Sequence, residues 1–205
     1  MKVFIDSKEG EERKEGNLKE ALDKIKEELK EKNLVVTKVL VDGKEIPLLQ
    51  EVVWKERAVS EIEKVEVSSA NPRELTIAGV LDSLTILPKI NESLREAVRL
   101  IQTGSQEKGL NLLAEALEGL NWFNVVIQGV EKVLGIELSS FSIKGVDLLK
   151  KREELVEVLR KALSSFQNRD FVNLGDLIEY ELAPQIESWL EVIPDLIKEV
   201  DKKVS

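Results

Sequence analysis

Ser68-Ser69-Ala70-Asn71-Pro72-Arg73-Glu74-Leu75-Thr76 divides the sequence into two unlike halves. Asn71 is a residue type that caps helices, Pro72 suits the first helical position, and Glu74 is three residues past the cap, where its side chain can reach back. Before this stretch the pattern alternates between strand and helix; after it every apolar stripe has helical period. The division gives an α/β domain over residues 1–70 and a helical domain over 71–205.

Upstream, Ile62–Ser68 sets Val65 and Val67 against Lys64 and Glu66, the alternation of a strand with one buried face. Leu34–Leu48 holds a β-branched run, an Asp42-Gly43 turn and a short return over Lys44–Ile46. This is a hairpin signature, because a two-residue type I′ turn needs positive φ at both central positions. Pro47 is expected to stop the return strand. Asn17 can cap an amphipathic helix carried by Leu18, Leu22, Ile25 and Leu29. Lys2–Asp6 reads as a short strand, Glu9–Gly16 as a charged, solvated loop, and Gln50–Glu61 as helix or loop. The expectation is a small domain of about four strands with one main helix.

Downstream, Leu84, Leu87, Asn91, Leu94, Val98 and Ile101 step by three and four, an inward-facing stripe. Gly104 and Ser105 end that helix, and a second runs to Gly135. Gly135–Gly145 reads as a Ser-rich connection. A third helix carries Leu148/Leu149, Arg152, Leu155/Val156, Leu159, Ala162/Leu163 and Phe166 on its apolar face, with Arg152 its polar member. A fourth, after Gln167–Asp170, carries Leu182, Ile186, Trp189, Ile193, Leu196 and Val200. Four such helices with mostly short links predict an antiparallel four-helix bundle, so the fold class is α+β.

The chain has 205 residues, no Cys, no His and a formal charge of −9. These absences exclude Ser-His-Asp and Cys-His chemistry, thiolate metal sites and His-based zinc or iron sites. The acidic excess is distributed: residues 1–70 have 14 basic against 17 acidic side chains. No basic stripe is present to neutralise phosphates, so nucleic acid is not an expected partner. The first residues do not read as a signal peptide, and no uncharged run approaches the ~20 residues that span a bilayer. A cytoplasmic protein with no membrane attachment and no cofactor is expected. Abundant Lys and Glu with one Met resembles a thermophile's composition.

Few motifs carry chemistry. Ser105-Gln106-Glu107-Lys108 has the S-x-x-K spacing of serine acylases, but S-D-N and K-T-G companions are missing and Ser105 reads as a helix cap. Gly104–Gly109 has the glycine spacing of a phosphate loop, yet Leu110 and Asn111 occupy the places of Lys and Ser/Thr. The polar cluster of most interest is Glu179-Tyr180-Glu181, with Glu181 beside the apolar face and expected to pair with a Lys or Arg on a neighbouring helix, Arg152 being a candidate. Pro88 and Pro184 should bend their helices, and bends at similar heights would open a groove. Asn91 interrupts an apolar stripe, with Ile90 placed to take the core position.

Gly119–Val130, GLNWFNVVIQGV, carries no charge. On a helix, Asn121, Asn124, Gln128 and Glu131 fall within about 80° of one another, with Trp122, Phe123, Val126, Ile127 and Val130 covering most of the rest. The segment reads as the best-buried helix, with a polar seam of Asn121, Asn124 and Gln128 open to a ligand or partner. Gly119 and Gly129 imply close approach by a neighbour. The functional expectation is a non-enzymatic protein-interaction module such as an adaptor, assembly factor or chaperone-like binder, with possible self-association. The alternative is a small-ligand-binding protein or enzyme using Glu181, Tyr180 and Arg152, in the bundle or between the domains.

Overall fold

The computed structural model describes residues 1–10, 12, 16–46, 56–140, 142–143 and 145–204. The chain is α+β, a five-stranded mixed sheet followed by mostly helical structure. It divides into two compact units, Met1–Leu75 and Thr76–Ser205.

In the first unit, β1 (Lys2–Ile5), β2 (Lys8–Glu9), α1 (Leu18–Glu31), β3 (Val35–Val41), β4 (Lys44–Glu45) and β5 (Lys64–Ala70) follow one another, and the sheet order is β2-β1-β5-β3-β4. β1 and β5 are parallel; the other pairs are antiparallel. β5 lies at the centre because alternation buries Val65 and Val67 under α1, whose Leu18, Leu22, Ile25 and Leu29 belong to the same core. A capping box starts α1: the Glu20 amide donates to Asn17 Oδ1 at 2.9 Å, and the Asn17 amide to Glu20 Oε2 at 3.4 Å.

The Asp42-Gly43 turn has φ of 49° and 79°, as its hairpin requires. A second such turn comes without glycine. Asp6 and Ser7, at φ 49° and 66°, pair Ile5 with Lys8 and add β2, so part of the expected loop is strand and the sheet has five members. Asp6 is held there by Ser69, whose amide and hydroxyl donate to its carboxylate at 2.7 and 2.6 Å and hold its pKa below the usual carboxylate range. Pro47 and the first half of Gln50–Glu61 lie outside the described residues; Val59–Glu61 forms a 3₁₀ turn.

The second unit contains α2 (Pro72–Gln102, begun in the first unit), α3 (Gln106–Lys132), α4 (Leu148–Gln167), α5 (Phe171–Asp176) and α6 (Ala183–Val204). Asn71 Oδ1 accepts from the Arg73 amide at the start of α2. The connection after α3 contains a small hairpin of β6 (Ser142–Ile143) and β7 (Val146–Asp147). Glycines bring α2 and α3 together as an antiparallel pair. A Cβ on Gly79 would meet Val126, one on Gly119 would meet Ile90, and one on Gly129 would meet Thr76, each at 2.7 Å. The close approach expected at Gly119 and Gly129 is therefore made by α2. Lys161–Glu181 and Glu154–Gln185 set α4 and the helix leading into α6 in opposed directions, and Gly175 beside Val98 with Arg95–Glu187 does the same for α2.

Phe123 and Trp189 meet edge to face in the core, their ring centroids 5.2 Å apart. The uncharged α3 segment is less enclosed than expected, because Val125 is 57% exposed and Asn121 is also exposed. In α4 the buried face is shifted by about one residue: Leu148, Lys151, Leu155, Val158, Ala162 and Ser165 are buried, while Val156 and Leu163 are exposed. Among the described residues, no helix is long and apolar enough to cross a membrane.

Candidate functional site

The six residues singled out from the sequence do not form one site. Glu181 pairs with Lys161, carboxylate to ammonium, at 3.0 Å. Arg152 instead donates from Nε to Asn124 Oδ1 at 3.1 Å. The partner is thus a lysine of the neighbouring helix, but not the candidate Arg152, because the helices run antiparallel: Glu181 lies level with Lys161, nine residues along α4 from Arg152. Tyr180 is 69% exposed and Asn121 is exposed, while Gln128 is half-buried. Asn124 alone of the polar seam meets Arg152.

Glu179, Tyr180 and Glu181 do mark a backbone irregularity. Leu177–Leu182 is π-helical and joins α5 to α6 without a break, with the Ala183 amide bonded to the Ile178 carbonyl five residues back. Pro184 explains it. Its ring would crowd the Tyr180 carbonyl in an α-helix and it has no amide to donate, so widening one turn relieves the clash. Glu179, Tyr180 and Pro184 are all exposed, which leaves water to satisfy the freed carbonyl.

A polar cluster missed in the sequence lies between α4 and α6. Lys151 is only 6% exposed; its ammonium bonds Ser188 Oγ and lies 5.5 Å from the Trp189 ring centroid. Burial pushes its pKa below that of an ordinary lysine, against the opposing pull of Glu154 and Glu191. Trp189 Nε1 and Gln185 Oε1 are buried without a hydrogen-bond partner, and Gln185 Nε2 reaches Glu154 at 3.5 Å. A Lys–Ser pair could activate a hydroxyl, but Ser188 stands inside α6, where the surrounding amides are engaged in helix bonds and offer no oxyanion donors. Three-four stepping from Leu148 passes through Lys151 and from Leu149 through Arg152, so the sequence period alone does not choose between them.

The seam between α2 and α6 is the other distinctive surface. Glu187 accepts from Arg95 at 2.9 Å and from Asn91 Nδ2 at 3.3 Å, while Asn91 Oδ1 is buried without a partner. Two turns N-terminal to Arg95 is Pro88, and two turns C-terminal to Glu187 is Pro194. Opposed helices place these two prolines level, on the faces that carry the ion pair. Pro194, inside α6, thus matches Pro88, the partner role expected of Pro184. Leu84 and Leu81 continue the same strip of α2, exposed by 37% and 49%. Pro88 and Pro194 are exposed too, and Leu190 and Ile197 are half-buried beside them.

At the end of the unit where α3 begins and α4 ends, a cavity of about 520 Å³ is lined by Leu110, Phe166 and Phe171 with Gln106, Glu107, Gln167 and Arg169. Ser105, the residue before α3, makes no side-chain cap bond. Among the described residues no group of three or more acidic side chains could hold a metal ion.

Residues 1–71 match the family model described as the TP0873 N-terminal domain. No curated protein and no solved structure matches the chain. Residues 80–192 match the model described as a domain of unknown function, DUF8042, which spans more than half of the 205 residues. The protein belongs to the DUF8042 family.

Proposed function

We propose that the protein is a non-enzymatic protein-interaction module, in which an α/β domain over residues 1–70 is joined to an antiparallel four-helix bundle that docks a partner protein. The carrying observation is the exposed apolar strip Leu81, Leu84, Pro88 and Pro194 beside the Arg95–Glu187 pair. Contiguous apolar surface rimmed by polar groups marks interaction sites on soluble proteins, whereas single exposed apolar residues do not. A partner lying on the strip would cover Leu81, Leu84, Pro88 and Pro194 together, with the Arg95–Glu187 pair at its edge. The formal charge of −9 favours a protein over a nucleic acid in that role.

Affinity capture from the source cells tests this reading when the wild type is compared with the doubly substituted Leu81→Glu, Leu84→Glu protein. Both positions are exposed enough to keep the fold, which circular dichroism checks. A partner retained by the wild type and lost from the variant supports the reading. Identical retained proteins would contradict it.

A further inference from the structure

The cavity at the α3–α4–α5 end carries an inference independent of the docking strip. Its lining combines three apolar side chains, Leu110, Phe166 and Phe171, with two opposite charges, Arg169 and Glu107. Those charges share one cavity without meeting: among the described residues, neither side chain has an ion pair or hydrogen bond. Arg169 is fixed at the rim by a backbone with φ of 57°, and its amide bonds the Phe166 carbonyl as α4 ends. At about 520 Å³ this open pocket, whose Gln106, Glu107, Gln167 and Arg169 are exposed, lies within the roughly 300–1,000 Å³ of small-molecule pockets.

A ligand matching this lining has an anionic group, a cationic group and an apolar body. We propose that the cavity binds a free α-amino acid with a large apolar side chain. The ligand carboxylate meets the Arg169 fork, the ammonium meets Glu107, and the side chain lies against Phe166, Phe171 and Leu110. A zwitterion bridges two charges that the protein leaves apart, and neither a simple anion nor a simple cation uses both.

Titration calorimetry of the full chain with L-leucine and L-phenylalanine is the test. N-acetyl-L-phenylalanine, which lacks the ammonium, and phenethylamine, which lacks the carboxylate, serve as comparison ligands. The expected result is saturable binding of at least one amino acid, weakened tenfold or more by Arg169→Gln and likewise by Glu107→Gln, and weaker binding of both comparison ligands. No saturable binding of either amino acid up to about 10 mM would overturn the proposal. So would affinity unchanged in either variant, or an N-acetyl ligand binding as well as the free amino acid.

Discussion

Lys151 shows how much one residue's position decides. Its ammonium is buried with one hydroxyl and one ring as neighbours, so its pKa falls below 10.5. Between the lowered folded value and the unfolded one, the unfolded chain binds more protons, and stability rises with pH. Lys151→Met keeps the stem and removes the charge. The variant should be more stable than wild type at about pH 7, with the gap narrowing as pH approaches about 10, by urea unfolding at several pH values. A gap that widens with pH would contradict this. Gly109 makes a separate residue-scale case, because a Cβ there would stand 2.8 Å from the Ala97 carbonyl oxygen, an atom that cannot rotate away. Gly109→Ala should cost about 1–3 kcal/mol despite alanine's better helix propensity. Gly119→Ala, which meets only the flexible end of Ile90, should cost less in the same urea measurement.

Among the elements, strands and helices whose signals are local were legible. Val65 and Val67 alternate, Asp42-Gly43 supplies its own positive φ, and Asn17 with Glu20 forms the box that starts α1. The hairpin at Asp6-Ser7 was not, because neither residue announces positive φ; Ser69, 63 positions away, holds Asp6 in place. In α4, apolar pairs such as Leu155/Val156 and Ala162/Leu163 offer two overlapping stripes, and only packing against α6 selects the one with Lys151. The register between antiparallel helices, which no local pattern carries, sets Glu181 against Lys161 and not Arg152. The π-helical turn was signalled by Pro184 but not specified by it, since a proline can equally kink a helix. Pro184→Ala restores a backbone donor at an exposed position. It should stabilise the chain by roughly 1–3 kcal/mol, raising the thermal midpoint; a lowered midpoint would contradict the account of the π turn.

At the scale of the molecule, the acidic, Cys- and His-free composition by itself removes most catalytic readings, and the apolar strip emerges only when α2 and α6 are set antiparallel. Leu84 and Pro88 belong to one stripe of the sequence, but Pro194 joins them through the Arg95–Glu187 register. The cavity around Arg169 was equally hidden, because its lining joins the start of α3 to the end of α4 and the start of α5, which no sequence period connects. The central claim is that a protein partner covers the α2–α6 strip. A photo-crosslinking amino acid placed in living cells at Leu84, and for comparison at Leu163, an exposed apolar position on α4, tests it most directly. The account predicts a discrete crosslinked protein from position 84 and none from position 163. No crosslinked product at 84, or the same product from both, would contradict it.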